Sequence, residues 1–382
     1  MRKAEAGVAE VTPALFFGVA FAPVRSAGAA WCCVDAVSAP GVTMLSRMKR
    51  LQSTQAVQTF RPKEEIAMTD VRPDVSTALS SSTAAGTASR LSPRQRYVQC
   101  LSPAGLHRVA YTEWGDPHNP RVIVCVHGLT RSGRDFDRFA AAMSATHRVV
   151  CPDVVGRGLS SWLENPNFYA VPQYAADMVT LIARLEVETV DWFGTSMGGL
   201  IGMALAGLKD SPIHKLLLND VGPHIEPNAL TRIAGYLGKP TRFATQQEGI
   251  EHAALLAESF GPLTADEWRE INTPLLHERD GAWQFRYDPR IAQPFAAMTP
   301  EMAAAGEAAL WKSFASIEGP VLVVRGAQSD LLSHETVARM VEVGRNVSSV
   351  EIDGVGHAPA FLAPGQIAIA RRFFTGESVD AS

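Results

Sequence analysis

No apolar run in this chain approaches the roughly 20 residues that a helix needs to cross a bilayer. A helical membrane protein is therefore not expected. Basic charge is not in excess either: 35 Lys and Arg stand against 39 Asp and Glu, for a formal net charge of −4. That balance offers no broad positive field to attract nucleic acid. Cysteine is scarce and odd in number, with Cys32, Cys33, Cys100, Cys125 and Cys151 among 382 residues. No CxxC pair or Cys/His spacing suggests zinc. Cys125 and Cys151 fall in strand-like apolar runs, where a free thiol behaves as a small hydrophobe. Buried, reduced thiols favour the cytoplasm.

Regular periodicity is missing over residues 1–93. From Ala67 to Ser92 the chain is rich in Ser, Thr and Ala, as in "STALSSSTAAGTASR", and reads as a flexible extension that need not belong to the mature protein. Upstream, "VTPALFFGVAFAPV" follows Arg2 and Lys3 and would suit an export signal, which would make the protein an exported one. Against that, Glu5 and Glu10 sit where positive charge is wanted, and Pro13 and Pro23 interrupt the apolar stretch. The simpler reading starts the protein at Met68, in "MTDVRPD".

From Arg94 onward the pattern is regular. "RVIVCVHG", "HRVVCPD", "VDWFG", "KLLLND" and "PVLVVRG" are short apolar runs, and "SSVEIDG" is a sixth, less apolar and suited to a sheet edge. Continuous apolar runs of this length suit parallel strands buried on both faces. Helix-like segments separate several of them. One carries Tyr174, Met178, Leu181, Ile182 and Leu185 on a single helical stripe. Alternating strands and helices predict an α/β sheet with helices on both faces. "LHRVAYTEWGD" alternates instead and reads as an antiparallel leading edge.

Strong strand runs are absent between Asp220 and Pro320. A gap of that length is too long for a loop. It holds helical, aromatic-containing pieces and reads as an insertion over 223–303, dividing a core made of 94–222 and 304–376. The helix near Pro300 to Ser316 is expected to return to the main layer.

Gly194-Thr195-Ser196-Met197-Gly198 fits the G-x-S-x-G pattern between an expected strand and an expected helix. That pattern makes a sharp turn that lifts a serine hydroxyl above the sheet edge. A serine hydroxyl needs an adjacent base to act as a nucleophile. His357, in the glycine-containing loop after the last strand, is the candidate. A third group must orient the imidazole. Asp330, in "VLVVRGAQSDLL", also follows a strand and gives the chain order Ser, Asp, His. Asp220, ending "LLLND", is the rival acid. It is ranked second because it opens the insertion and can serve simply as a helix cap. The oxyanion donors expected are the backbone amides of Met197 and Leu129, with His127 and Gly128 supporting the second loop.

Five segments then occur in one order: "VHGLTRSGRDF", "CPDVVGRGLSS", "FGTSMGGLIG", "VRGAQSDLL" and "GVGHAPAF". In these the chain resembles the α/β-hydrolase fold family. The resemblance implies Ser196 as nucleophile, His357 as base, Asp330 as acid, and a helical lid inserted after strand six. It points to a serine esterase or lactonase acting on small to medium acyl substrates, with no cofactor and no metal. The partner implied is a small-molecule ester. A C–C bond hydrolase of the meta-cleavage type is the alternative. It shares the Ser-Met-Gly-Gly signature, but usually carries tryptophan after the histidine, where this chain has Ala358.

Overall fold

The chain enters its sheet through a hairpin in the computed structural model, which describes residues 92–377. The expected extension, its signal-like stretch, Met68, Cys32 and Cys33 lie outside the described residues, Ser92 and Pro93 apart. Strands β1 (Arg94–Ser102) and β2 (Gly105–Trp114) pair antiparallel, with Arg94 opposite Glu113 and Ser102 opposite Gly105. In β1 the inward positions are Val98, Cys100 and Ser102. Of these, Cys100 is small and Ser102 is polar, so β1 leaves little trace in a hydrophobicity reading.

The apolar runs become the parallel part of the sheet. These are β3 (Val122–Val126), β4 (Arg148–Pro152), β5 (Val190–Thr195) and β6 (Ile213–Asn219). Every residue of β3 and β4 is buried. Their pleat sends alternate side chains to opposite faces. Val122, Val124 and Val126 join one apolar cluster, and Ile123 and Cys125 join the other. Between these strands run helices α1 (Asp137–Met143), α2 (Val171–Arg184) and α3 (Met197–Ala206). The α2 stripe buries Tyr174, Met178, Leu181 and Ile182, matching its 3.6-residue spacing.

After β6 come α4 (Pro227–Tyr236), α5 (Gln246–Leu256) and α6 (Ala265–Asn272). A small hairpin follows, formed by β7 (Leu276–Arg279) and β8 (Ala282–Phe285). The sequence reading expected no strand here. The local signal is Asp280-Gly281, both at positive φ (53° and 69°), in a two-residue connection of the kind that closes tight hairpins. Then come α7 (Ala292–Ala296) and α8 (Pro300–Ala315). Helix α8 lies on α3, where the Ser313 hydroxyl donates to the Met203 carbonyl at 2.9 Å.

The chain closes with β9 (Val321–Gly326), α9 (His334–Val343), β10 (Val347–Ile352) and α10 (Pro364–Thr375). The main sheet has the order β1-β2-β4-β3-β5-β6-β9-β10. It is parallel from β4 to β10, and the β1–β2 and β2–β4 pairings are antiparallel. β10 is an edge strand, in keeping with its weaker apolar character. Among the described residues no helix is long and apolar enough to cross a membrane.

Candidate active site

Ser196 stands alone between the end of β5 and the start of α3, at φ 52° and ψ −117°. Non-glycine residues rarely adopt positive φ, and doing so at a functional turn stores strain that the surroundings must hold. The surroundings here are backbone in near contact. A Cβ on Gly194 would run into the Gly198 carbonyl, and one on Gly198 into the Val126 carbonyl. Glycine at both positions lets β5, α3 and β3 close around the turn.

His357 lies beyond β10 and brings its Nε2 to 3.0 Å from Ser196 Oγ. Its Nδ1 lies 2.7 Å from Asp220 Oδ2. An ionised carboxylate only accepts, so the Nδ1–H donates to Asp220 and Nε2 is left to accept from the serine hydroxyl. Asp220 is fully buried and well supplied with donors: the Gly326 amide gives one to Oδ1 at 2.8 Å, and the Ser329 hydroxyl one to Oδ2 at 2.6 Å.

The acid expected at Asp330 is therefore corrected. The structure brings Ser196 and His357 together, but gives the histidine's partner as Asp220. Asp330 is 41% exposed and forks onto Arg232 of α4, with Nε to Oδ2 at 2.7 Å and Nη2 to Oδ1 at 2.9 Å. Burial alone would raise the Asp330 pKa, but the hydrogen bonds and charge of Arg232 outweigh it and hold the carboxyl below its usual range. Topology explains the choice. Asp220 directly follows β6, which adjoins the serine strand, whereas Asp330 lies four positions past the end of β9, one strand further out. The usable signal was a carboxylate ending an apolar run, which the cap reading discounted.

The amides of Met197 and Leu129 have no hydrogen-bond partner among the described residues. One opens α3 directly after Ser196, and the other follows Gly128 after β3 and lines the pocket over Ser196. Two buried side chains hold this loop. His127 donates from Nδ1 to the Gly128 carbonyl at 2.7 Å and accepts the Val154 amide at Nε2, 2.9 Å away. Burial, with lesser help from Arg157 and Arg131, pushes its pKa down to about 3, so the ring is a neutral brace. Arg157, also fully buried, was not singled out from the sequence. Its Nε donates to the Leu129 carbonyl at 2.8 Å, and its Nη2 lies 3.7 Å from Met197 Sδ.

The pocket over Ser196 and His357 is lined by Gly128, Leu129, Arg131, Arg232, Ile233, Tyr236, Phe260, Leu275 and Phe285, among others. Of the insertion's aromatic residues, Tyr236, Phe260, Phe285 and Tyr287 reach the pocket. Phe243 packs on Phe285, Trp268 packs on Phe260, and Leu237 is buried.

One group among the described residues is close enough to share a metal ion: Cys100, His107 and Asp177. These belong to β1, β2 and α2 and do not line the pocket. His107 Nε2 lies 2.9 Å from both Asp177 oxygens, and burial pushes the Cys100 thiol up to about 12. A protonated thiol beside a paired histidine and carboxylate suits a buried tie between α2 and the leading hairpin. Cys125 and Cys151 are likewise buried and free.

The profile of the alpha/beta hydrolase family matches residues 123–370. The chain is 64% identical over 289 residues to the 3-hydroxybutyrate-oligomer hydrolase of Cupriavidus necator, covering 75% of this chain and 99% of that one. Among solved structures it is similar to an alpha/beta hydrolase from Novosphingobium aromaticivorans, at 32% identity and TM-score 0.66, covering 75% of this chain and 99% of that one. It is also similar to E-2-(acetamidomethylene)succinate hydrolase, at TM-score 0.63 over 74% of this chain and all of that one; at 20% identity this speaks only to the fold.

Proposed function

The chain belongs to the alpha/beta hydrolase family, and on that premise we propose that it hydrolyses carboxylic esters through an acyl group carried on Ser196. The proposed substrates are short oligomers of a hydroxyacid of the 3-hydroxybutyrate type. One observation carries the mechanism: the unbroken line of hydrogen bonds from Ser196 through His357 to Asp220, opening onto a pocket. The substrate class draws on the 64% identity to a hydrolase of such oligomers.

In the first half-reaction Ser196 Oγ bonds to the ester carbonyl carbon, and its proton passes to His357 Nε2. The carbonyl electron pair moves onto oxygen, facing the amides of Met197 and Leu129. Asp220 holds the ring in its tautomer and stabilises the imidazolium as it forms. Collapse of the tetrahedral species breaks the carbon–oxygen bond to the alcohol, which leaves with the proton from His357. In the second half, water gives a proton to His357 and bonds to the acyl carbon. Collapse then returns that proton to Ser196 and frees the acid. Loss of one oxyanion donor typically costs about a hundredfold to a thousandfold in rate, so the bracing of Leu129 adds to what the triad supplies.

The test is a panel of p-nitrophenyl acyl esters and hydroxyacid dimers, run on the wild type and on Ser196→Ala. Turnover of both substrate types, abolished by the substitution, is expected. Turnover unchanged by the substitution would overturn the serine mechanism. Esters cleaved with hydroxyacid dimers untouched would remove the substrate class.

A further inference from the structure

Two cationic side chains line the pocket, and they differ in what they have left to offer. Arg131 is committed. Its Nε and Nη2 bind Asp135, its Nη1 binds Asn272 Oδ1, its Nη2 also reaches the Ile271 carbonyl, and its plane lies over Phe260. It braces the pocket wall. Arg232 spends only one edge of its guanidinium, the Nε and Nη2 pair, on Asp330. Its Nη1 has no hydrogen-bond partner among the described residues.

Tyr236 stands one helical turn along α4 from Arg232 and lines the same pocket. Its hydroxyl also lacks a partner among the described residues. Burial raises its pKa, which keeps the phenol protonated and a donor. Two unspent donors, one of them charged, thus share the face of α4 that borders the pocket of Ser196 and His357. A guanidinium has two carboxylate-sized edges and can hold a second carboxylate when one edge is taken. The Asp330 charge faces partly into water, where screening weakens its repulsion of an incoming anion. The pocket side carries apolar Ile233, Phe260 and Leu275, where a charge-assisted bond is stronger.

We propose that Arg232, oriented by Asp330 and assisted by the Tyr236 hydroxyl, binds a free carboxylate at the end of the substrate, so that the enzyme prefers carboxylate-terminated esters to their neutral counterparts. This rests on ester hydrolysis at Ser196 and narrows it to one class. Hydroxyacid oligomers carry such a carboxylate on the alcohol side of their last ester bond. Asp330 is a positioning residue in this scheme.

The experiment compares a hydroxyacid dimer with its own methyl ester, which removes the terminal charge. Because the methyl ester is itself hydrolysable, turnover is read as cleavage of the internal ester bond, with products separated by chromatography. Wild type is expected to favour the acid in kcat/KM. Arg232→Gln should lower kcat/KM for the acid by about tenfold to a hundredfold, mainly through KM, while the methyl ester changes less than about twofold. Arg232→Lys should recover part of the loss, and Asp330→Asn should raise KM for the acid alone. Equal losses for acid and methyl ester, or no loss for either, would overturn the proposal. The same pair is also measured as binding to Ser196→Ala, with and without Arg232→Gln, which needs no turnover. If the wild type cleaves neither compound, ester hydrolysis fails, and this binding comparison still decides the role of Arg232: tighter binding of the acid that Arg232→Gln abolishes supports it, and equal binding of both compounds overturns it.

Discussion

His357 Nδ1 lies 2.7 Å from Asp220 Oδ2, and that carboxylate is fully enclosed by β6, β9 and the loop beyond. Asp330, the acid expected first from the sequence, is turned outward to Arg232. Replacing the orienting acid of a serine triad by its amide, where it has been measured, lowers turnover about ten-thousandfold by favouring the wrong tautomer. Asp220→Asn is therefore expected to reduce kcat by about a thousandfold or more. Asp330→Asn should leave neutral p-nitrophenyl esters within about threefold of wild type. Steady-state rates on one such ester check both; comparable losses in the two variants would refute the assignment.

Arg157 ties both expected oxyanion donors, through the Leu129 carbonyl and the Met197 sulfur. Lysine cannot reproduce the fixed fork. Arg157→Lys is expected to lower kcat about tenfold to a hundredfold with KM changed less than about threefold, since the loop amide loses its brace. A KM effect with kcat intact would place Arg157 in substrate binding instead.

The elbow is closed by backbone contact, so Gly198→Ala should fail to fold or lose about 3 kcal/mol or more. Gly235 in α4 has open space around its missing Cβ. Gly235→Ala is expected to stabilise by about 0.5–1 kcal/mol. Urea unfolding midpoints read both changes, and similar effects at the two sites would contradict the packing described for Gly198.

His127 should shape the acid limb of stability. The folded protein holds this ring neutral, with a pKa pushed from 6.5 down to about 3 by burial, while the unfolded chain protonates it normally. Between those values the unfolded state binds the extra proton. The contribution is thus full above pH 6.5 and is lost as pH falls toward 3. His127→Gln should unfold more easily at pH 7, because the Gly128 carbonyl and Val154 amide lose their partner, yet lose less stability than wild type between pH 6.5 and pH 4. Parallel slopes for the two proteins would refute the buried neutral ring.

The meeting of Ser196 and His357 was legible because its signals are local. A strand, a glycine-flanked serine and a helix are contiguous in sequence, and His357 follows the last apolar run. The apolar strands β3 to β6 and β9 were legible for a similar reason: burial on both faces leaves an uninterrupted hydrophobic signature. What the sequence hid depends on neighbours distant along the chain. Asp220 and Asp330 both follow apolar strands, one directly and one four positions on, and the choice between them rests on strand order and on Arg232, 98 residues away from Asp330. Arg157 looks like an ordinary loop arginine until its partners Leu129 and Met197 converge on it. The β7–β8 hairpin was missed because four-residue strands are too short for periodicity, although Asp280-Gly281 marked its turn.

The central claim is that Ser196 carries the acyl group. Its most direct test is peptide-resolved mass spectrometry after treatment with a fluorophosphonate, with residual esterase activity followed in parallel. A single stoichiometric adduct on Ser196, loss of turnover in step with labelling, and no adduct in Ser196→Ala are predicted. Labelling at another residue, or full turnover by fully labelled protein, would contradict the account.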